Sequence, residues 1–185
     1  MKRINKTRYA LLGMLSHQPM SGYDIKKALH MSTQYFWQES DGQIYPILAE
    51  LLKEKCITSL AIESQGSRTR KVYQISSKGL EELKDWLVQE VVPTIPRNEL
   101  LLKLFFGSVV PLEITQKHIL EHQRQLNKRL ETYKKIDQGL GDEKSPYQLY
   151  WQMTVEFGKQ IVQAQLGWCQ DALKLLKKIE QSKSQ

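Results

Sequence analysis

The spacing of apolar residues predicts two short helices at the start of the chain. Leu11, Leu12 and Leu15 share one face of a first helix over about residues 7–16. Ser21 and Asp24 have the three-residue spacing of a capping box, in which each side chain bonds the other residue's backbone N–H. This pair therefore predicts that a second helix begins immediately after Ser21.

The strongest amphipathic pattern follows the second helix, and strand-like patterns come after it. Apolar residues at i, i+3, i+4, i+7 and i+8 from Ile44 predict a third helix, with Ser40 or Asp41 as its cap. Residues 58–63 and 69–75 are rich in β-branched side chains and predict a hairpin. A fourth helix is predicted after the Ser76-Ser77 pair, with Leu80, Leu83, Trp86 and Leu87 on one face. Helix, helix, helix, hairpin, helix is the order of a winged helix-turn-helix domain.

Two prolines separate this region from a second, wholly helical one. Pro93 and Pro96 favour extended backbone before them, so the fourth helix must end there. We therefore predict a winged helix-turn-helix domain over residues 1–90, a linker over 91–97 and a helical domain over 98–185. The predicted fold class is mainly α with a small β-hairpin.

The second domain combines a long helix over about residues 111–136 with a last helix over about 146–179. The long helix repeats Leu112, Ile119, Leu126 and Tyr133 at intervals of seven. The last helix has two apolar stripes, which together cover more of its surface than one neighbouring helix can bury. One stripe should pack on the long helix, and the other on the same helix of a second subunit. The residues predicted to form this homodimer contact are Phe157, Ile161, Ala164, Trp168 and Leu175.

Composition and charge narrow the functional class. Hydrophobic residues make up 41% of the 185 residues and charged residues 25%, which excludes a disordered chain. There are 27 basic and 20 acidic residues, giving a net charge of +7. The two cysteines cannot build a disulfide framework, and no apolar run is long enough to cross a membrane. We expect a cytoplasmic protein with reduced thiols, no membrane association and no cofactor.

The positive charge is concentrated where a winged helix-turn-helix domain meets double-stranded DNA. No acidic residue occurs from Gly66 to Lys78, a segment that includes the predicted wing. Cations at such positions release counterions from DNA phosphates, and a Gln at the start of the third helix can bond both polar groups of adenine. The predicted DNA-contacting residues are Tyr23 and Lys26 on the second helix, Ser40, Gln43 and Tyr45 at the third, and Arg68, Arg70 and Lys71 on the wing.

Two alternative functions remain open from the sequence. His118, Glu121 and His122 match the H-x-x-E-H pattern of some zinc proteases, which would make the protein a metal-dependent hydrolase. The competing interpretation is two surface histidines, because the neighbouring residues are polar and no third ligand is evident. The second alternative is that the winged domain binds a partner protein. We expect DNA binding, no metal and no enzymatic activity.

Aromatic residues in the second domain have two interpretations. They can be dimer-core packing, or they can line a pocket for a flat aromatic or apolar effector, oriented by the polar tips of Tyr and Trp. The same choice applies to the aromatic run at residues 35–37. The candidate effector-binding residues are Trp37, Tyr133, Tyr150 and Trp151.

Several short segments together resemble the PadR family of transcriptional regulators. They are YALLGML at 9–15, SGYDI at 21–25, FW at 36–37, GQIYPIL at 42–48 and RKVYQIS at 70–76. ELLLKLFF at 99–106 and EFG at 156–158 resemble the longer PadR subfamily, which has a large helical C-terminal domain. The resemblance implies a winged-helix repressor that dimerises through its C-terminal helices. The family's best-known members respond to phenolic acids, but the C-terminal domain is the variable part of the family, so the resemblance assigns no ligand.

Overall fold

The computed structural model describes residues 5–33, 35–37, 41–62, 70–93, 95–140 and 146–183. The chain forms two compact units, Met1–Pro93 and Thr94–Gln185. No helix in the described part of the chain is long and apolar enough to span a bilayer.

The first unit has the predicted order of helices and hairpin. A three-stranded antiparallel sheet has the order β1-β3-β2, and β2 pairs with β3 in a register that places Thr58 opposite Gln74. The short strand β1 was not predicted, because two residues are too few to show an alternating pattern. The elements are α1 (Thr7–His17), β1 (Met20–Ser21), α2 (Gly22–Ser32), α3 (Asp41–Lys53), β2 (Ile57–Ile62), β3 (Arg70–Ile75) and α4 (Ser77–Leu87).

Side-chain caps begin two of these helices where the sequence predicts them. The Ser21 hydroxyl accepts the Asp24 backbone N–H at 3.2 Å, and Asp24 Oδ2 accepts the Ser21 N–H at 3.3 Å, which completes the capping box of α2. Ser76 caps α4 by accepting the Gly79 N–H at 3.1 Å. Ser40, one of the two caps predicted for α3, lies outside the described residues.

The core of the first unit is shared by all of its helices and its hairpin. At its edge, the Tyr9 ring of α1 stacks on the Trp86 ring of α4, with 4.6 Å between the ring centroids. On α4 the apolar pattern is only partly buried, since Leu87 is 64% exposed although the sequence places it on the core face. The buried residues include Leu11, Leu12, Leu15, Ile25, Leu29, Ile44, Leu48, Leu51, Cys56, Ile57 and Leu83.

A single arginine ties three elements of the first unit together. The Arg8 guanidinium on α1 pairs with Glu54, which follows α3, and with Glu82 on α4, where the Nη2–Oε2 distance is 2.8 Å. The Arg8 side chain is only 14% exposed, and its Nη2 also lies 3.4 Å from the buried Cys56 sulfur. The hydrogen bond from Arg8 lowers the pKa of the Glu82 carboxyl, and this outweighs the effect of burial.

The second unit is built on a hairpin of two long helices. It contains α5 (Glu99–Phe105), a 3-10 turn (Gly107–Val109), α6 (Leu112–Gly139) and α7 (Pro146–Lys183). The Asn98 side chain caps α5 by accepting the Leu101 N–H at 3.1 Å. A salt bridge of 2.9 Å from Lys159 to Asp137 joins α7 to α6.

The core of this hairpin is formed by the α6 residues that are spaced seven apart and by one of the two apolar stripes of α7. Ile119, Leu126 and Tyr133 are buried on α6, as the spacing indicates. On α7 the stripe that contains Val155, Gly158, Val162 and Cys169 is buried. The other stripe of α7 is exposed in the single chain, with Phe157 65%, Ile161 42%, Trp168 37% and Leu175 59% exposed.

Candidate nucleic-acid interface

The outward face of α3 has small residues at its centre and long ones at its edges. Gly42, Pro46 and Ala49 are spaced i, i+4 and i+7, and all three are exposed. A Cβ at Gly42 would meet nothing within 4 Å, so this face is open. Gln43 and Tyr45, both exposed, stand on opposite edges of it. A helix face of this shape can approach a DNA groove closely while its two flanking side chains extend toward base edges.

Tyr45 lies over the start of α2. A Cβ at Gly22 would come within 2.8 Å of Tyr45 Cε1, so only glycine leaves room for the ring in this position. Tyr45 remains 55% exposed, whereas Tyr73 on β3 is 8% exposed. Burial raises the pKa of Tyr73, and the nearby Tyr45 adds to the rise. Tyr45 and Tyr73 therefore lie near each other, one on the outward face of α3 and the other on β3.

Gln43, on the other edge, contacts α1. The Thr7 hydroxyl lies 3.3 Å from Gln43 Oε1, and Thr7 is 3% exposed. Sequence patterns did not indicate Thr7, Gly22 or Tyr73 as part of this surface. Gly22 acts through close approach and Thr7 through a hydrogen bond to a distant residue, and neither contact leaves a trace in apolar periodicity.

Three more of the predicted DNA-contacting residues lie on described elements of the first unit. Tyr23 is 65% exposed in the first turn of α2, and Lys26 is half-buried one turn later. Lys71 is exposed on β3, with its Nζ 5.6 Å from the centroid of the Tyr73 ring. Ser40 and Arg68 lie outside the described residues, and the Arg70 side chain, on the first residue of β3, is not described either.

Two of the H-x-x-E-H residues, Glu121 and His122, have other partners in the structure. Glu121 accepts hydrogen bonds from Arg124 at 2.7 Å and from Gln125 at 3.0 Å, and the Arg124 bond is the main cause that lowers the pKa of Glu121 to about 2. A carboxylate with so low a pKa is a poor general base. The His122 ring packs edge-on against Trp168 at 6.4 Å. The hydrolase hypothesis therefore gains no support from the structure.

Among the described residues, one group of three potential metal ligands lies close together elsewhere in the chain. Ligand atoms of Glu54, Cys56 and Glu82 fall within 4.8 Å of one another. The Arg8 guanidinium contacts all three side chains. Both carboxylates already pair with this cation, so the contacts in the structure are those of a structural ion-pair cluster.

The candidate effector residues occupy different environments. Tyr133 is 4% exposed, its hydroxyl accepts a bond from Arg129 Nη2 at 3.1 Å, and its ring fills the space over Gly158. This environment favours the packing interpretation for Tyr133. Tyr150 and Trp151 are exposed on α7, and Trp37 is 36% exposed in the first unit.

An apolar groove that the sequence did not indicate lies between α5 and α6. Its volume is about 520 Å³. Lys103, Thr115 and His118 provide the polar groups of a lining that is otherwise apolar. The apolar lining residues are Leu102, Leu104, Phe106, Val109, Val110 and Ile114. A groove of this size and character is suited to a small apolar molecule.

Comparisons with known proteins agree with this geometry. Residues 11–85 match the PadR-like family of transcriptional regulators, and residues 96–177 match the virulence activator alpha C-terminal family. The negative transcriptional regulator PadR of Bacillus subtilis is 34% identical over 102 residues, covering 55% of this chain and 56% of that protein. The chain thus spans about half the length of the curated relatives that it matches.

Solved structures share the fold over nearly the whole chain. B. subtilis PadR in complex with operator DNA superposes with a TM-score of 0.83 at 24% identity, covering 92% of this chain and 98% of that one. The same regulator in complex with p-coumaric acid gives a TM-score of 0.75 at 25% identity, with the same coverage. The fold of this chain thus also occurs in proteins that regulate transcription. Residues 11–85 thus form a domain of the PadR-like family of transcriptional regulators.

Proposed function

We propose that this protein is a cytoplasmic, homodimeric transcriptional repressor, which binds a pseudo-palindromic DNA operator and is released from it by a small aromatic or apolar effector. The open face of α3, with Gln43 and Tyr45 on its edges, is the observation that carries the proposal. The complex of B. subtilis PadR with operator DNA supports it, because that protein shares this fold.

Each group of residues has a distinct role in the proposed complex. Gln43 and Tyr45 contact base edges in the major groove, together with Ser40 at the start of the helix. The remaining candidates contact phosphates, which adds affinity with little dependence on sequence. These are Tyr23 and Lys26 on α2 and Arg68, Arg70 and Lys71 on the wing.

The proposed domains follow the predicted boundaries, with DNA binding in residues 1–90, a linker over 91–97, and dimerisation and effector binding in 98–185. The exposed stripe of α7, which contains Phe157, Ile161, Ala164, Trp168 and Leu175, forms the dimer contact. A two-fold axis between the subunits would present two copies of α3 to half-sites about one helical turn apart. An effector that changed the spacing of the two copies would prevent both from engaging at once, and most of the affinity would be lost.

Two locations are candidates for the effector. The groove between α5 and α6 has the volume and the apolar lining that such a ligand needs. The exposed aromatic residues Trp37, Tyr150 and Trp151 are the other candidates, with the buried Tyr133 in a supporting position. The complex of B. subtilis PadR with p-coumaric acid supports a ligand of small aromatic type.

Fluorescence anisotropy with DNA from upstream of the protein's own gene tests the proposal. We expect Gln43→Ala to weaken binding to the best sequence by about 1–3 kcal/mol and to relax the preference at one base pair of each half-site. Lys71→Ala should instead weaken binding to all sequences alike and reduce the slope of log affinity against log salt by about 0.9. Lys84→Ala, which removes an exposed cation from α4, is the matched control and should change neither quantity. Equal, weak binding of the parent protein to all DNA would contradict the proposal.

A further inference from the structure

The hydrogen bond between Thr7 and Gln43 joins residues that are 36 positions apart, and Gln43 is the side chain assigned to base contact. Thr7 Oγ1 donates to Gln43 Oε1 at 3.3 Å. Thr7 is almost fully buried, whereas Gln43 is exposed. The amide oxygen of Gln43 therefore points inward to α1.

Thr7 is held firmly enough to act as a fixed donor. Its backbone N–H is bonded to Asn5 Oδ1 at 3.1 Å, in the first turn of α1. The next residue, Arg8, pairs with Glu54 beyond the end of α3 and with Glu82 on α4. Gln43 and Glu50 are seven residues apart and so share the edge of α3 that faces α1, and Glu50 also lies 4.0 Å from Arg8. The polar contacts of Thr7 with Gln43 and of Arg8 with Glu50 thus hold α1 against this edge of α3.

The orientation of the amide decides which base groups Gln43 can recognise. Bidentate recognition of adenine needs both the amide oxygen and the amide NH₂ to face the base. With its oxygen turned toward Thr7, Gln43 presents the NH₂ group, which can only donate. Donors match the acceptors exposed in the major groove, which are N7 of either purine, O6 of guanine and O4 of thymine.

We propose that Thr7 is a positioning residue for DNA recognition, which holds the Gln43 amide so that its NH₂ group faces the base edge and selects a hydrogen-bond acceptor. The proposal rests on the function proposed above, with Gln43 as a base-contacting residue. It replaces the bidentate adenine contact expected from the sequence with a contact in which Gln43 donates only.

A double-mutant cycle on Thr7 and Gln43 tests the proposal. The full-length protein is titrated with operator duplexes in which each base pair of the half-site is varied in turn. Thr7→Val keeps the shape of the side chain but removes the hydroxyl, so the amide can rotate. We expect the discrimination at the base pair contacted by Gln43 to fall by about 3- to 10-fold, which is the contribution of one hydrogen bond. Thr7→Ser, the matched control, keeps the hydroxyl and should preserve discrimination to within about twofold.

The Gln43→Ala background separates this role from a general effect on the fold. If Thr7 acts through Gln43, Thr7→Val should not change discrimination further once Gln43 is absent. An equal effect of Thr7→Val in both backgrounds, or no effect in either, would overturn the proposal. If Gln43→Ala itself leaves every base preference unchanged, the assignment of Gln43 fails and the role of Thr7 fails with it. Failure of the parent protein to prefer any DNA sequence would instead overturn the proposed function.

A second variant keeps the test valid if Thr7→Val does not fold. Gln43→Glu leaves an acceptor for the Thr7 hydroxyl but removes the outward donor. We expect the ratio of its affinities for duplexes with and without an acceptor at the contacted base to fall by at least about 10-fold. Retention of the parental base preference by Gln43→Glu would show that the NH₂ group is not the selecting group.

Discussion

The two units of this protein bury their apolar residues in different ways. In the first unit, side chains from four helices and a hairpin converge on one core, and Leu11, Leu12, Leu48 and Leu51 are completely buried within a single chain. In the second unit, α6 and α7 bury one row of side chains between them. The other apolar stripe of α7, including Phe157, stays exposed. The core of the first unit is therefore complete in one chain, whereas the helical unit leaves an apolar stripe exposed.

The physical reason lies in the number of neighbours that each helix has. A two-helix hairpin offers α7 a single partner, which can cover one of its two apolar stripes. Exposed apolar stripes of this length are uncommon on monomers and mark interaction sites. In the proposed dimer, a signal that acts on the second unit would change the contact between subunits while α3 and its supporting core keep their shape.

Introducing charge on the exposed stripe of α7 should produce the largest effect. In the double variant Phe157→Asp, Ile161→Asp, each change removes an apolar anchor and places a carboxylate in the proposed interface. We expect the dimer dissociation constant to rise by at least about 10³-fold, since each central anchor contributes about 2 kcal/mol or more. Sedimentation equilibrium measures this directly. Operator affinity should fall in parallel because two half-sites can no longer be engaged together.

The matched control lies on the polar face of the same helix. Gln163 and Gln170 are exposed and seven residues apart, so Gln163→Asp, Gln170→Asp adds the same charge to the same helix. We expect this control to remain dimeric. A double Phe157, Ile161 variant that also remained dimeric would place the subunit contact elsewhere and remove the contrast between the two units.

A substitution in the core of the first unit should have the next largest effect. It should change the stability of that unit and leave the dimer intact. A Cβ at Gly79 would overlap the carbonyl oxygen of Cys56, which accepts the Ser76 N–H at 3.0 Å. Because the obstacle is hydrogen-bonded backbone, Gly79→Ala should lower the free energy of unfolding of this unit by about 3 kcal/mol. Hydrogen exchange of α4 amides measures the loss, and α6 and α7 should keep their protection.

Gly13 is the matched control for this change. It lies inside α1, and a Cβ there would meet nothing within 4 Å. Gly13→Ala should therefore be neutral or raise stability by up to about 1 kcal/mol, because alanine has the higher helix propensity. Unchanged α4 protection in Gly79→Ala would show that the Cys56 backbone can move, and that this core is less tightly determined than its burial indicates.

Most of the fold could be predicted from the sequence because its elements depend on local patterns. The heptad spacing of Ile119, Leu126 and Tyr133 and the cap signals at Ser21 and Ser76 correspond to elements in the structure. The pattern was less informative where burial depends on distant neighbours. Leu87 fits the apolar face of α4, yet it lies at the end of the helix, beyond the part that the core covers, and remains exposed.

The candidate site was predictable only as a set of residue types near the right elements. The start of α3 and the basic wing identify Gln43, Tyr45 and Lys71 as candidates. Their geometry depends on Thr7 and Gly22, which meet α3 through tertiary contacts. Sequence spacing cannot show such contacts, because their partners lie on different elements and share no period.

The smallest expected effect is the response of the first unit to acid. The bond from Arg8 lowers the pKa of Glu82 below the ordinary value of 4.5, so the pairing stabilises the fold above that pH. The stabilisation is lost as pH falls below 4.5 and through the lowered pKa, because the folded state must then take up a proton on a paired carboxylate. Since both side chains are partly exposed, we expect a loss of about 1–2 kcal/mol.

NMR signals of α1 and α4, followed through thermal unfolding at several pH values, would measure this loss separately from that of α7. Glu82→Gln removes the titrating group, so the stability of the first unit should be lower at neutral pH and should depend less on pH below 4.5. Glu121→Gln is the matched control, because Glu121 pairs with Arg124 only along the exposed side of α6 and salt should screen that pair. An acid response that was unchanged in Glu82→Gln would assign it to other carboxylates. That result would mean that the ion pairs of Arg8 with Glu54 and Glu82 contribute little to holding α1, α3 and α4 together.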